Sequence, residues 1–245
     1  MYTGRLKSST RFGLLLPQRH YITNKMQMSR RYKISLATIS DKIGPVSSRS
    51  PPYKLSHTEP EVDASFTFGS ETVATHTFST APPLDVILVP GGYGNWVLAE
   101  ANNTWVEDFI VRRFDQADYV VSVCSGAMHL ARSGLLNGLR ATTNKRLWQS
   151  IVEHGSTYKG ENIEWVPSAR WVENEKVWTA SGVAAGLDMA YALVKKMYGV
   201  DAVRPAINGM EYAPHTDAHW DPFSVVHDVS SVVFHVGITV VLIHH

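Results

Sequence analysis

Two apolar runs in the chain stop at small or turn-forming residues. The first is DVILVPGG (Asp85–Gly92), in which four apolar positions end at a Pro-Gly-Gly turn, and the second is YVVSV, which leads directly into Cys124. Runs of this kind are typical of strands that are buried on both faces in a parallel sheet. We therefore expect two central strands whose carboxyl ends carry Gly91, Gly92 and Cys124.

Strand and helix patterns alternate around these runs. Apolar or alternating segments predict two earlier strands, RFGLLL (Arg11–Leu16) and YKISLATIS (Tyr32–Ser40), and a later hairpin, ARWVENEKVWTAS (169–181). Between the strands, apolar residues at helical spacing predict helices. The helical segments include 95–117, 145–155 and 185–199. This alternation is typical of an α/β protein, so we predict a doubly wound, mostly parallel sheet sandwiched by helices, with ligands at the carboxyl ends of its strands.

Two of these helices carry further detail. In segment 95–117, Trp105, Phe109, Val111 and Phe114 recur at helical spacing and are predicted to form the buried face of a single helix. Gly199 follows the last apolar position of segment 185–199, and glycine is the residue that most often ends a helix. We therefore expect that helix to stop there.

The chain divides into three parts. Residues 1–10 are predicted to be a loose N-terminal arm, residues 11–227 a single α/β domain, and residues 228–245 an apolar C-terminal tail. The tail is rich in β-branched residues and shorter than the roughly 20 residues that a membrane helix needs, so a strand or an adhesive tail is favoured over an anchor. Residues 1–31 contain basic residues and no acid, which leaves a mitochondrial presequence as a minor alternative.

Composition narrows the function classes. The 23 Lys and Arg residues are nearly balanced by 22 Asp and Glu residues, so neither a nucleic acid nor a membrane surface is indicated as a partner. The chain has one cysteine in 245 residues, which excludes an internal disulfide and favours a reducing compartment. We therefore expect a cytoplasmic protein.

Cys124 stands where a strand passes into a helix. Such strand–turn–helix elbows present a nucleophile above the sheet, and they need small neighbours, which Ser125 and Gly126 provide. Free N–H groups at a helix start stabilise a thiolate and lower its pKa, and the Gly91-Gly92 turn offers further donors for a developing anion. A buried cysteine with a packing role is the alternative, because a lone cysteine is often a small buried hydrophobe.

Other polar candidates give weaker signals. His129 would lie roughly 140° around the helix from Cys124, so a core or surface histidine is favoured over a base. Asp188 is either an acid supporting the site or a first-turn residue that complements the helix dipole, and the second is favoured. The cluster HTDAHWD (His215–Asp221) is more typical of a solvated loop than of a metal site, and PGGYG lacks the spacing of a dinucleotide-binding loop, so neither metal nor cofactor is expected.

Four separated blocks resemble one known family. They are DVILVPGGYG, VVSVCSGAMHLARSGLLNGLRATTNK, VPSARWVENEKVWTASGVAAGLDMA and NGMEYAPHTDAHWDPF. In this order they resemble the ThiJ/PfpI superfamily of class I glutamine amidotransferase-like proteins, and most of all its isonitrile hydratase-like branch. The resemblance covers roughly residues 85–223 and implies a flavodoxin-like fold, a homodimer and no cofactor.

The resemblance also assigns roles to individual positions. It implies that Cys124 is the nucleophile, that Ser125 supports it and that Gly92 is a backbone donor to an anion. Asn144 stands near a position where other members often have histidine. Protease-like members carry histidine directly after the cysteine, and Ser125 in that position weakens a peptidase assignment. The implied reaction is hydration of an isonitrile to an N-substituted formamide through a thioimidate.

One expected residue is missing from the sequence. Family members carry an acidic residue in the segment after the first strand, whereas this chain has no Asp or Glu from Pro17 to Leu36. Three hypotheses therefore stay open. They are an isonitrile hydratase-like enzyme, a glyoxalase- or deglycase-like enzyme acting on small carbonyl compounds, and a non-catalytic or redox-sensing member of the superfamily.

Overall fold

The computed structural model describes residues 9–15, 33–47 and 71–229. The strands in these ranges are β1 (Ser9–Leu15), β2 (Lys33–Ser40), β3 (Gly44–Ser47), β4 (Glu71–Ala74), β5 (His76–Thr77), β6 (Val86–Val89), β7 (Tyr119–Val123), β8 (Arg140–Ala141), β9 (Glu164–Trp165), β10 (Trp171–Glu173) and β11 (Val177–Ala180). The helices are α1 (Gly94–Glu100), α2 (Trp105–Arg113), α3 (Gly126–Arg132), α4 (Trp148–Gly155), α5 (Val183–Tyr198), α6 (Val200–Gly209) and α7 (Phe223–Val226).

Seven of the strands form one sheet in the order β10-β11-β7-β6-β1-β2-β5. Every pair in this sheet is parallel except β10 and β11, which form the predicted antiparallel hairpin. The chain runs outward from β1 to β2 on one side and returns to the other side of β1 at β6. This reversal defines a doubly wound sheet, so the predicted flavodoxin-like α/β fold is confirmed.

The central strands are apolar throughout because both faces of the sheet are covered. In β6, Ile87 and Val89 belong to a core formed with α2 and α3. Val86 and Leu88 of the same strand pack in a second core, which contains Met189 of α5. Successive side chains of a strand point to opposite faces, so each face needs its own apolar residues.

The single helix predicted over residues 95–117 is wrong. The structure has two helices, α1 and α2, and Asn102 between them has a φ of +50°. Asparagine tolerates this left-handed conformation better than most residues, and a helix cannot continue through it. The predicted buried face was also wrong at two positions, since Trp105 and Val111 are exposed while Phe109 is fully buried.

The end of α5 agrees with the prediction. Gly199 has a φ of +84°, and its N–H donates to the carbonyl of Lys195. A residue with a Cβ would be strained in this conformation, so the glycine ends the helix and allows the chain to turn into α6.

Several predicted segments lie wholly or partly outside the described residues. They include most of the N-terminal arm, the tail beyond Val229 and residues 17–32 of the acid-free segment. β1 begins at Ser9, two residues before the predicted strand. Across residues 9–15, 33–47 and 71–229, no helix combines the length and the apolar character that a membrane crossing requires.

Candidate active site

Cys124 occupies a sharp turn between β7 and α3. Its φ is +58°, a conformation that residues other than glycine rarely adopt, and α3 begins two residues later at Gly126. The Cys124 nitrogen lies 3.1 Å from the carbonyl oxygen of Ala180 and 2.8 Å from that of Ser181, so the end of β11 and the residue after it fix the strained residue. The structure therefore has the strand–turn–helix order that the sequence indicated.

Two glycines make room for this turn. A Cβ on Gly91 would lie 2.6 Å from the Cβ and 3.0 Å from the Sγ of Cys124, and a Cβ on Gly126 would lie 2.1 Å from the carbonyl oxygen of Val89. The ends of β6 and β7 approach each other too closely for larger residues. Gly91 and Gly126 are therefore required by space at the elbow, whatever further role their N–H groups have.

Ser125 lies buried behind the cysteine. Its Oγ accepts hydrogen bonds from the Gly92 N–H at 2.9 Å and from the Asn95 Nδ2 at 3.0 Å, and it lies 3.3 Å from the Gly92 carbonyl oxygen, to which it can donate. The Gly92 N–H is thus engaged by Ser125. Its predicted role as a donor to a substrate anion would require that bond to be exchanged.

The segment after β8 supplies two further contacts to the elbow. Thr143 Oγ1 donates to the carbonyl oxygen of Cys124 at 2.9 Å, and the side chain of Asn144 hydrogen-bonds to the Cys124 thiol. Asn144 Oδ1 also accepts the N–H of Leu147, which fixes the orientation of the amide. Only the family resemblance predicted that Asn144 lies near the site, and Thr143 was missed because a single threonine in a loop forms no pattern.

The pKa of Cys124 shifts in the direction opposite to the one predicted. Burial raises the pKa of the thiol, and the hydrogen bonds from Ser125 and Asn144 act against that increase without cancelling it. Burial was not visible from the sequence, where only the helix start and its free N–H groups could be considered. At neutral pH Cys124 is therefore mainly a protonated thiol.

His129 lies away from the reacting side of the helix, as predicted. It is fully buried, and its Nδ1 is 3.1 Å from Glu107 Oε1, which also accepts a 2.6 Å hydrogen bond from Arg132 Nε. Burial raises the pKa of Glu107, but hydrogen bonds and charge from His129 and Arg132 outweigh it, so the pKa of this carboxyl is lowered. The three side chains form a buried polar cluster between α2 and α3.

Asp188 is not in the first turn of α5, so its predicted pairing with the helix dipole is wrong. The helix starts at Val183, and the buried Asp188 carboxylate binds Arg170, with both Nε and one terminal guanidinium nitrogen at 2.6 Å. It also accepts hydrogen bonds from the Tyr212 hydroxyl and from the His215 N–H. These contacts give Asp188 a role in joining α5 to two loops, and its suggested support of the site stays a prediction.

The segment HTDAHWD is only partly the solvated loop that was predicted. His215, Asp217 and His219 are exposed, but Asp221 is buried and lies 3.9 Å from the Nζ of the buried Lys145. Across the described ranges, the structure holds no group of three or more His, Cys, Asp or Glu side chains that could bind a metal ion.

Fold and site together define the class of the protein. It is a doubly wound α/β protein with a cysteine on a strand–helix elbow, at the carboxyl edge of the sheet and beside the Gly91-Gly92 turn. The sequence profile of the DJ-1/PfpI family matches residues 31–196. The chain therefore belongs to the DJ-1/PfpI family, and the resemblance stated above is confirmed.

Two curated relatives cover part of the chain. The isonitrile hydratase of Pseudomonas putida is 36% identical over 146 residues, which are 60% of this chain and 60% of that protein. The uncharacterized protease YoaZ of Bacillus subtilis (strain 168) is 31% identical over 120 residues, which are 46% of this chain and 50% of that protein. The chain thus spans between half and three fifths of the length of these relatives.

Solved structures agree on the fold. A ThiJ/PfpI family protein from Pseudomonas syringae superposes with a TM-score of 0.62 at 23% identity, over 91% of this chain and 87% of that one. DJ-1beta from Drosophila melanogaster superposes with a TM-score of 0.57 at 16% identity, over 84% of this chain and 99% of that one. At these sequence identities, the structural similarity shows a shared fold and nothing beyond it.

Proposed function

We propose that this protein hydrates an isonitrile to an N-substituted formamide, with Cys124 as the nucleophile. The observation that carries the proposal is the geometry of Cys124, a thiol at positive φ on an elbow, hydrogen-bonded by the Asn144 side chain and backed by Ser125. The partial identity to the isonitrile hydratase of Pseudomonas putida supports the choice of substrate. Both residues beside the sulfur can donate hydrogen bonds, which stabilises the thiolate that forms as the thiol gives up its proton.

The reaction runs in two stages. In the first, the Cys124 sulfur bonds to the terminal carbon of R–NC and a proton is added to that carbon, which gives the thioimidate R–N=CH–S-Cys. In the second, water adds to the same carbon and the nitrogen is protonated. The carbon–sulfur bond then breaks to release R–NH–CHO and the free thiol, so one isonitrile and one water give one formamide.

The neighbours of Cys124 have separate tasks in this scheme. Asn144 donates to the sulfur and stabilises the thiolate both before attack and when sulfur leaves. Ser125 also hydrogen-bonds to the sulfur, and its contacts with Gly92 and Asn95 keep the elbow in place. The proton on carbon comes from the thiol itself or from water, since both are already present in the reaction.

The test is formamide production from cyclohexyl isocyanide, followed by NMR. We expect turnover by the native chain and at least a thousandfold loss in Cys124→Ala, because the covalent stage needs the sulfur. Asn144→Ala should retain part of the activity, with a loss on the order of tenfold to a hundredfold. Unchanged turnover in Cys124→Ala would rule out the mechanism.

A non-catalytic or redox-sensing protein is the second candidate. It is favoured by one observation: burial raises the pKa of the Cys124 thiol, and the side chains that hydrogen-bond to it, Ser125 and Asn144, are neutral rather than acidic. This candidate predicts a peroxide-dependent mass increase on Cys124 and no turnover of isonitriles. A methylglyoxal assay run in parallel identifies the third possibility, a glyoxalase- or deglycase-like activity.

The proposal also includes the binding partner and the oligomeric state of the protein. We expect a small-molecule substrate and a homodimer, the second on the family resemblance alone. Light scattering should give twice the mass of one chain, and a mass of one chain would contradict the dimer. A cytoplasmic location is the corresponding expectation from the single cysteine.

A further inference from the structure

Lys145 is a buried cation directly beside the segment that contacts the nucleophile. Only 3% of the residue is exposed, and it follows Asn144 in the loop between β8 and α4. A lysine is almost never fully buried unless its charge is compensated. The proposed reaction does not explain why a lysine is buried at this position.

The ammonium group of Lys145 meets three acceptors. Its Nζ lies 2.6 Å from Thr142 Oγ1, 2.8 Å from the carbonyl oxygen of Ala169 and 3.3 Å from the carbonyl oxygen of Thr143. A protonated lysine has three N–H donors, one for each of these acceptors, whereas a neutral amine has two. Loss of the proton therefore leaves one acceptor without a donor, and the longest bond, to Thr143, is the weakest of the three.

Two of these acceptors, Thr142 and Thr143, belong to the segment that holds the elbow. Thr143 donates its hydroxyl to the carbonyl oxygen of Cys124, and Asn144 hydrogen-bonds to the thiol. The other end of the segment is fixed to the sheet, because the Thr142 N–H donates to Thr179 Oγ1 at 2.9 Å. Lys145 is thus connected to the backbone of Cys124 by two hydrogen bonds. Its Nζ donates to the Thr143 carbonyl oxygen, and the Thr143 hydroxyl donates to the Cys124 carbonyl oxygen.

Asp221 supplies the opposite charge. Its Oδ2 lies 3.9 Å from the Lys145 Nζ, and the residue is 1% exposed. Two other groups near the lysine do not supply a negative charge. The Trp148 ring of α4 lies 4.9 Å from Nζ and is neutral, and Arg170, next to Ala169, is bound by Asp188.

We propose that Lys145 is a positioning residue for Asn144 and Cys124, and that Asp221 keeps its ammonium group charged for this task. The proposal goes beyond the proposed function, because it concerns the reactivity of the thiol toward any electrophile. It also gives the C-terminal segment before α7 a part in the site, although Asp221 lies far along the chain from Cys124.

The Lys145–Asp221 pair predicts that the effect of removing the Asp221 charge on the reactivity of Cys124 depends on pH. Burial lowers the pKa of Lys145 to about 7, and the charge of Asp221 opposes this decrease. In Asp221→Asn the pKa of the lysine should fall further, so a larger fraction of the lysine should be neutral at pH 6 than in the native chain. At pH 8.5 the lysine is mainly neutral in both proteins, and the difference between them should vanish.

The experiment measures the rate at which Cys124 reacts with 4,4′-dithiodipyridine at pH 6 and pH 8.5. The chain has one cysteine, so the whole signal reports on this site. We expect Asp221→Asn to react about threefold to tenfold more slowly than the native chain at pH 6 and at the same rate at pH 8.5. Lys145→Met should be slower than the native chain at pH 6 as well, and its rate should not change when Asp221→Asn is added.

Val203→Ala is the control for general loss of stability. Val203 is buried in the small core between α5 and α6, so the variant lowers stability without contact to the Lys145 segment. Its thiol should react at the native rate at both pH values. Native rates at pH 6 in Asp221→Asn would overturn the proposal, as would an equal loss at pH 6 and pH 8.5, and neither result depends on isonitrile turnover. Should Lys145→Met fail to fold, Asp221→Asn alone decides the question.

Discussion

Cys124 has a strained backbone conformation that its neighbours hold in place. The residue sits at a φ of +58°, and its N–H is held by the carbonyl oxygens of Ala180, at the end of β11, and of Ser181. A non-glycine residue in this region costs of order 1–3 kcal/mol and persists only where surrounding contacts fix it. Gly91 is one of the residues that allow this conformation, because any side chain there would displace the cysteine.

Gly91→Ala should therefore damage the site. The new Cβ would lie 2.6 Å from the Cβ of Cys124, so we expect a loss of about 1–3 kcal/mol in the free energy of unfolding and at least a tenfold slower reaction of the thiol. Gly209→Ala is the matched control, since beyond its chain neighbours and the nearby backbone of its own helix no atom lies within 4 Å of its Cβ position. It should leave the thiol rate unchanged. Equal rates in the two variants would contradict the close approach at Gly91.

The pH dependence of Cys124 provides a second test at this scale. Because burial raises the pKa of the thiol above its ordinary value, the thiolate fraction should still be increasing above pH 9. We expect the rate of alkylation by iodoacetamide to rise through pH 9 without reaching a plateau. A plateau reached below pH 8 would indicate a thiol whose pKa is lowered, as the sequence alone suggested.

At the scale of the elements, α3 is held by charge as well as by apolar packing. Glu107 of α2 binds both His129 and Arg132 of α3, and all three residues are at most 2% exposed. The Arg132 guanidinium also donates to Thr157 Oγ1 in the turn after α4. The helix that begins beside the nucleophile is therefore fixed to its neighbours on two sides.

Arg132→Met should lower the free energy of unfolding by about 3–5 kcal/mol, because it leaves the buried Glu107 carboxylate without its shortest partner. Arg140→Met is the control, since Arg140 pairs with Glu164 on an exposed surface, where a pair contributes about 0–1 kcal/mol. Urea denaturation of both variants gives the comparison. A cost below about 1 kcal/mol for Arg132→Met would show that the buried cluster is not stabilising.

Across the whole molecule, Asp188 joins parts of the chain that are distant in sequence. Its carboxylate binds Arg170, beside the hairpin, and accepts hydrogen bonds from Tyr212 and from the backbone of His215. The segment that continues to Asp221 is thereby fixed to α5 and to the sheet. We therefore expect Asp188 to act on the site through this segment rather than by contact with Cys124.

Asp188→Asn should therefore be mainly a stability variant. Removing the charge beside the buried Arg170 should cost about 3 kcal/mol in the free energy of unfolding. The pH profile of thiol alkylation should stay as in the native chain. Glu173→Gln, which breaks the partly exposed pair with Lys196, should change neither quantity by a measurable amount. A shifted alkylation profile in Asp188→Asn would instead make this carboxylate a support of the thiol.

Local pattern was sufficient for most of the sheet and for the elbow. The runs before Gly91 and Cys124 became β6 and β7, and the segment 169–181 became the β10–β11 hairpin. These predictions hold because period and turn residues act over a few neighbouring positions. The helix over residues 95–117 failed for a related reason, since apolar spacing cannot show that Asn102 adopts a left-handed conformation.

The sequence by itself determined the central strands β6 and β7 and the place of Cys124 at a strand–helix elbow, because both follow from residues that are adjacent in the chain. The tertiary structure alone decided the environment of the thiol. It brought Asn144 to the sulfur, placed Asp221 beside Lys145 and buried the cysteine enough to raise its pKa. Hydrogen bonds, charge pairing and desolvation depend on distances between residues that are far apart in sequence, and only folding sets those distances.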